Sequence, residues 1–226
     1  MLLTIGAMNK GGNDSIGIPP HIEVLYAKLC MFLDSAVSCF PTEPEYSTAN
    51  EDSITRDISL HLNDCSTMTS SEYQFVFVNQ DKRSDIGVHI RYSYKTDKNL
   101  LCWIEAKRLP TPPEKDRDER EYVFVDHSKG YRGNGGIERF KLNKHGDGLP
   151  VAMMFGYVQS ESFDHWNQKV NEWIRMCSQH ILCHQNEILV NEGKNRGRFV
   201  STHKRIDHRS GIEMQDITIH HFWIYL

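Results

Sequence analysis

The segment spanning residues 85–107 constrains the fold more than any other part of the sequence. It contains two apolar runs separated by a polar turn, a pattern typical of a β-hairpin. In a hairpin, the start of the first strand lies beside the end of the second. Asp85 opens the first run, and the tripeptide Glu105-Ala106-Lys107 closes the second. The sequence therefore predicts that the carboxyl groups of Asp85 and Glu105 are neighbours.

Alternation of side chains along a strand brings an amino group into this cluster. Glu105 and Lys107 lie on one side of their strand and Ala106 on the other. The prediction is two carboxylates and an ammonium at the edge of a sheet. Carboxylate oxygens are preferred ligands of hard divalent cations such as Mg²⁺, and an adjacent lysine can offset charge on a phosphate. The alternative is a surface hairpin whose exposed Glu and Lys side chains serve only solubility.

With these residues in this order, the chain resembles the PD-(D/E)XK nuclease superfamily over about residues 51–158. The resemblance implies an α/β fold with a mixed central β-sheet flanked by helices, built on a restriction-endonuclease-like core. It also implies a metal-dependent endonuclease. In that case Asp85 and Glu105 bind Mg²⁺, for which Mn²⁺ would substitute, and Lys107 positions or activates the attacking water.

Hydrophobic periodicity supports this order of elements. Helical spacing is found at residues 21–40, from residue 50 onwards, and at residues 162–184. Strand-like segments are residues 73–79, 151–158, 199–205 and 217–226. The segment 151–158 is almost wholly apolar, which is typical of a central strand covered on both faces. We expect an N-terminal helical segment, residues 1–48, and a nuclease-like domain, residues 49–226, with a C-terminal strand extension.

A third acidic metal ligand is sought on the helix that precedes the sheet, because the superfamily often places one there. Glu51 is the best candidate, since it comes one turn before the apolar stripe of that helix. Asp52 and Asp57 are its rivals. The alternative is that Asn50, Glu51 and Asp52 only cap the helix and complement its dipole. The sequence leaves both interpretations open.

A basic, glycine-rich segment follows the hairpin and predicts a phosphate contact. The sequence YRGNGG, residues 131–136, leads into a helical segment that contains Arg139. Glycines allow close approach of the backbone to another group, and helix N-terminal amides favour anions. We expect Arg139, with Lys129 or Tyr131, to steady a phosphate. A flexible glycine loop with solvated basic side chains is the alternative.

A second basic stretch lies near the C-terminus and alternates as a strand does. Ser201, His203 and Arg205 share one face of this strand, so His203 and Arg205 are expected to line the substrate groove. No nucleophile in a recognisable context accompanies His203, and we expect no hydrolytic triad.

Charge is unevenly distributed along the chain. The 226 residues carry a net charge of −4, which argues against a general polyanion-binding protein. Residues 1–72 contain ten acids and three bases, a net of −7, which leaves +3 for the remainder. A mildly basic catalytic region can bind a phosphate backbone although the whole protein is acidic.

The cysteines and apolar runs indicate the cellular compartment. The six cysteines form no CxxC pair, which is typical of reduced thiols in a cytoplasm. No apolar run approaches membrane-spanning length, and the N-terminus lacks the features of a secretion signal. We expect a cytoplasmic protein that does not associate with membranes.

The function predicted is hydrolysis of phosphodiester bonds in nucleic acid, with DNA expected over RNA. The chain has no evident sequence-reading module or ATPase, so a homodimer or a partner protein would supply recognition or activation. An effector of a prokaryotic defence or restriction system fits this description. The alternative is a nuclease-like subunit that binds nucleic acid or supports an assembly without catalysis of its own.

Overall fold

The computed structural model describes residues 20–68, 73–79, 85–92, 98–112, 117–125, 134–146, 148–177, 184, 186–192 and 196–226. The α-helices in these ranges are α1 (Pro20–Ser38), α2 (Glu51–Met68), α3 (Gly136–Lys141) and α4 (Phe163–Cys177), with a short 3-10 helix at Pro44–Ser47. The strands are β1 (Tyr73–Asn79), β2 (Asp85–Tyr92), β3 (Lys98–Leu109), β4 (Val151–Val158), β5 (Val190–Asn191), β6 (Arg198–Ile206) and β7 (Glu213–Tyr225).

The strands form one mixed sheet in the order β1-β2-β3-β4-β7-β6-β5. Strands β3, β4 and β7 run parallel to one another. The neighbours on each side, β1 and β2 on one and β5 and β6 on the other, pair antiparallel. The predicted α/β class, with a mixed central sheet flanked by helices, is confirmed. The restriction-endonuclease-like core stays a prediction.

Strand β4 lies at the centre of the sheet because it has apolar side chains on both faces. All eight of its residues are buried. Met153 and Phe155 face a core that also contains apolar residues of α1 and α2. Ala152 and Met154 face a second core that contains residues of α3 and α4. Each fully buried large apolar side chain contributes roughly 1.5–3 kcal/mol to folding, so both helical layers are held by this alternation.

The N-terminal helix shares a core with the rest of the fold. Leu29 and Leu33 of α1 are fully buried in the same apolar cluster as Ile54 and Ile58 of α2. Asn50 caps α2, because its Oδ1 accepts a hydrogen bond of 2.8 Å from the backbone amide of Ser53. The described part of the predicted N-terminal segment therefore does not form a separate core.

The hairpin lies further inside the sheet than the sequence predicted. Strand β3 extends two residues beyond Lys107, to Leu109, and is third in the strand order. Its partner on one side is β2 and on the other is β4. The expected position at the sheet edge is thus corrected: the carboxylate cluster lies between inner strands, because parallel pairing with β4 covers the outer side of β3.

Candidate metal centre

The hairpin register places Asp85 directly opposite Glu105. These two residues are paired in the antiparallel ladder of β2 and β3. Opposed residues of such a ladder have their β-carbons about 4.5–5.5 Å apart, so both carboxyl groups project from neighbouring points on one face. Asp85 is 1% exposed and Glu105 is fully buried. The prediction that the two carboxyl groups lie next to each other is confirmed.

Three carboxylate oxygens at this point accept no hydrogen bond from the described residues. They are Oδ1 and Oδ2 of Asp85 and Oε2 of Glu105, and all are shielded from water. A buried polar atom without a partner costs roughly 1–3 kcal/mol, and more when the group is charged. A cation held by these oxygens would offset that cost. The chemistry of the donor set therefore fits a divalent metal ion.

The two oxygens of Glu105 have different surroundings. Oε1 lies 2.9 Å from Nζ of Lys107 and 2.9 Å from Nη1 of Arg139. Oε2 lies 3.4 Å from Nδ1 of His145. Glu105 can therefore keep both ion pairs through one oxygen while the other is available to a metal.

Burial and neighbouring charges separate the protonation of the two carboxyl groups. Burial, with the nearby Glu105 carboxylate, raises the pKa of Asp85 to about 8. Burial also acts to raise the pKa of Glu105, but the positive charges of Lys107 and Arg139 outweigh it and lower that pKa. Glu105 is therefore ionised at neutral pH, whereas Asp85 holds a proton there.

Lys107 is a buried cation. Burial disfavours its charged form, but the carboxylates of Glu105 and Glu51 outweigh this and raise its pKa. The ammonium is therefore retained at neutral pH, and it can donate hydrogen bonds or stabilise negative charge but cannot accept a proton.

Glu51 is placed beside Lys107 and not in the metal cluster. Its Oε1 lies 3.1 Å from Nζ of Lys107, and its Oε2 accepts a hydrogen bond of 3.3 Å from the backbone amide of Arg108. Among the described residues, the potential ligands within 4.8 Å of one another are Asp85, Glu105 and His145. Asn50 caps the helix, as the capping interpretation expected, whereas the Glu51 side chain contacts Lys107 and the Arg108 backbone.

His145 joins the cluster and was missed by the sequence analysis. It follows α3 in a tight turn, and its Nδ1 lies 3.4 Å from Oε2 of Glu105 and 3.5 Å from Oδ2 of Asp85. No spacing pattern connects it to the hairpin. The only local signal is a histidine next to Gly146, after a short helix, in the crossover between β3 and β4.

The N-terminus of α3, the helix that carries Arg139, packs against residues 121–123 and does not present its amides to an anion. The backbone amides of Gly136, Ile137 and Glu138 donate to the carbonyls of residues 121–123 at 2.8–3.2 Å. A β-carbon on Gly135 would lie 2.2 Å from Cα of Phe124. The glycines thus allow close approach to a neighbouring chain segment, and the expected phosphate contact at these amides is corrected because the amides are already used.

The other predicted substrate residues have different outcomes. Lys129 and Tyr131 lie outside the described residues. His203 is 1% exposed and Arg205 is 2% exposed. The Arg205 guanidinium donates to the backbone carbonyls of Gly148, Leu149 and Gln215 at 2.9–3.2 Å. The expectation that His203 and Arg205 line a groove is corrected, because buried side chains with internal partners cannot contact a nucleic acid.

His203 belongs to a buried hydrogen-bonded chain. Its Nε2 lies 2.7 Å from Oγ of Ser201, and its Nδ1 lies 3.3 Å from Oε2 of Glu187. Glu187 also pairs with Lys141 of α3. Burial lowers the pKa of His203, and the Lys141 charge also acts in this direction. The geometry is that of a hydrolytic triad, but Ser201 is only 3% exposed, so no nucleophile is presented. This series of hydrogen-bonded side chains instead joins α3 to β6.

Comparison with known proteins does not identify a relative. No family model, curated protein or solved structure matches the chain. The likeness to the PD-(D/E)XK superfamily is therefore carried by the hairpin motif and the order of elements alone. Among the described helices, none is long and apolar enough to cross a membrane.

Proposed function

We propose that the protein is a divalent-metal-dependent nuclease that hydrolyses phosphodiester bonds, with DNA preferred to RNA as substrate. The observation that carries this proposal is the convergence of three buried carboxylate oxygens, which accept no hydrogen bond from a basic side chain of the described residues, beside a buried ammonium. The oxygens belong to Asp85 and Glu105, and the ammonium is that of Lys107. Metal-assisted phosphoryl chemistry can use this combination of anionic ligands and a fixed positive charge.

Asp85 and Glu105 would hold the cation, with Mg²⁺ and Mn²⁺ as the candidates. When bound, such an ion supplies electrostatic stabilisation of the negative charge that develops on the phosphate. Glu105 contributes through Oε2, because its Oε1 is engaged by Lys107 and Arg139. The resemblance to the nuclease superfamily supports the same two ligands.

Lys107 has the role of a fixed hydrogen-bond donor. Its ammonium is held between Oε1 of Glu51 at 3.1 Å and Oε1 of Glu105 at 2.9 Å. It can orient the attacking water or stabilise a phosphate oxygen, but it does not take the proton of that water. Glu51 is a positioning residue, since it fixes the lysine from the first turn of α2.

Among the described residues, Arg139 is a cation that is placed to meet the substrate. Its side chain is 29% exposed and its guanidinium contacts Glu105, so it extends from the buried cluster towards solvent. A guanidinium presents several donors in a plane that matches phosphate oxygens. Arg139 would therefore position the nucleic-acid backbone close to the carboxylates.

A cleavage assay tests the proposal. The purified protein is incubated with plasmid, linear DNA and RNA in the presence of Mg²⁺, Mn²⁺ or EDTA. We expect cleavage with a divalent cation, none in EDTA, and none for Asp85→Asn. The matched control is Asp164→Asn, which removes an exposed carboxylate from α4. Binding of nucleic acid without cleavage in every metal would instead favour a non-catalytic binding or assembly subunit.

A further inference from the structure

The turn that carries His145 brings a nitrogen atom to the two carboxylates. Its Nδ1 lies 3.4 Å from Oε2 of Glu105 and 3.5 Å from Oδ2 of Asp85. Two ligand atoms at about 2.1 Å from one ion are about 3.0 Å apart at a right angle and about 3.4 Å apart at the tetrahedral angle. The observed separations are therefore those of neighbouring ligands of a single small cation.

The imidazole lies within ion-pair distance of both carboxyl groups. Oε2 of Glu105 and Oδ2 of Asp85 accept no hydrogen bond from the described residues, although Nδ1 of His145 is within 3.5 Å of both. Both side chains are at least nine-tenths buried. One imidazole nitrogen and one oxygen from each carboxyl group therefore meet at a single point, all within 4.8 Å of one another.

The position of His145 is set by the backbone of its turn. The amides of Lys144 and His145 donate to the Arg139 carbonyl at 2.9 Å and 3.3 Å. Asn143 and Gly146 have positive φ angles of 50° and 97°, which close the turn tightly. The imidazole also packs edge-on against the ring of Phe140, with 6.2 Å between the ring centroids, so the turn and this contact together direct it at the hairpin.

Resting on the proposed metal site, we propose that His145 is its third protein ligand and that the site prefers Mn²⁺ to Mg²⁺. Mg²⁺ favours an all-oxygen environment and retains several waters. An imidazole nitrogen favours first-row transition metals, while carboxylates suit Mn²⁺ as well as Mg²⁺. One nitrogen and two carboxylates thus shift the preference towards the transition metal. Mg²⁺, the ion expected from the hairpin motif alone, should therefore bind this site more weakly than Mn²⁺.

Binding of each metal to the metal-free protein tests this without reference to cleavage. Mn²⁺ affinity is measured by electron paramagnetic resonance, and Mg²⁺ affinity by its competition with Mn²⁺. The variant is His145→Asn, in which an amide oxygen replaces the ring nitrogen, and the matched control is His165→Asn on the exposed face of α4. Pulsed measurements of ¹⁴N coupling to bound Mn²⁺ report directly whether a histidine nitrogen is a ligand.

We expect ¹⁴N coupling in the wild type and in His165→Asn, and its loss in His145→Asn. The ratio of Mn²⁺ to Mg²⁺ affinity should fall about tenfold or more in His145→Asn, the size of effect typical of disturbed metal ligation. Unchanged coupling and an unchanged ratio in His145→Asn would overturn the ligand assignment while leaving the carboxylate site intact. Equal Mn²⁺ binding by wild type and Asp85→Asn would instead overturn the proposed metal site itself.

Discussion

Asp85 and Glu105 oppose each other across β2 and β3, yet of these two only Glu105 is ion-paired with a lysine and an arginine of the described residues. Lys107 and Arg139 both lie 2.9 Å from its Oε1. Neither oxygen of Asp85 accepts a hydrogen bond from a basic side chain of the described residues. Because the two carboxyl groups have such different surroundings, replacing each by its amide should have different effects on the free energy of unfolding.

The first prediction concerns stability without metal. Glu105→Gln should lower the free energy of unfolding by roughly 3 kcal/mol, because it leaves the buried ammonium of Lys107 and the partly exposed guanidinium of Arg139 without their shared anion. Asp85→Asn should be neutral or stabilising, because it removes a carboxyl group whose ionisation is disfavoured by burial. Urea denaturation in EDTA at pH 8 measures both. Equal destabilisation by the two variants would contradict the assigned charge pattern.

The second prediction concerns pH. Since the pKa of Asp85 rises from 3.8 to about 8 on folding, its contribution to stability is complete below pH 4 and is lost as pH rises to about 8. The loss has a ceiling of about 1.4 kcal/mol for each pH unit. Subtracting the free energy of unfolding of Asp85→Asn from that of the wild type, in EDTA, cancels the titration of distant histidines. This difference should fall between pH 5 and pH 8, and a flat difference would contradict the raised pKa.

The third prediction separates Glu51 from the metal ligands. Glu51→Gln should leave Mn²⁺ affinity nearly unchanged, because Glu51 contacts Lys107 and Arg108. Turnover should fall about tenfold, as is typical when a group that orients an active side chain is altered. The control is Asp52→Asn, because Asp52 is the next residue and its side chain is exposed. A large loss of metal affinity with Glu51→Gln would restore the sequence-based assignment of Glu51 as a ligand.

The fourth prediction assigns the phosphate contact to Arg139. Lys141, which neighbours it in the sequence, is 2% exposed and paired with Glu187, so it is not available to substrate. Arg139→Gln should weaken binding of all nucleic-acid sequences and reduce the slope of log affinity against log salt by about 0.9 for one lost phosphate contact. Affinity is measured across a salt series in Ca²⁺, which supports binding without cleavage.

Lys204→Gln is the matched control for that experiment. Lys204 has a 66% exposed side chain that pairs with Asp216 at the surface. Its replacement should leave both affinity and salt dependence nearly unchanged. If Lys204→Gln lowers the slope and Arg139→Gln does not, the nucleic acid binds along β6 and not beside the carboxylates.

The local parts of the site were accessible from the sequence. The pairing of Asp85 with Glu105 follows from two apolar runs joined by a short turn, and the common face of Glu105 and Lys107 follows from the two-residue period of a strand. The central position of β4 likewise follows from its unbroken apolar run. These features depend on neighbours along the chain, and residue order by itself is sufficient to specify them.

The tertiary structure decided which other groups reach the hairpin. Arg139 meets Glu105 across 34 positions of the sequence, and Glu51 meets Lys107 across 56. His145 arrives through a turn whose direction depends on how α3 packs against residues 121–123. His203 alternates as a groove residue would, but it is enclosed by the packing of α3 and its neighbours on that face of the sheet. Burial, and with it charge pairing and pKa, is a property of the packed layers, and residue order alone does not specify how those layers close.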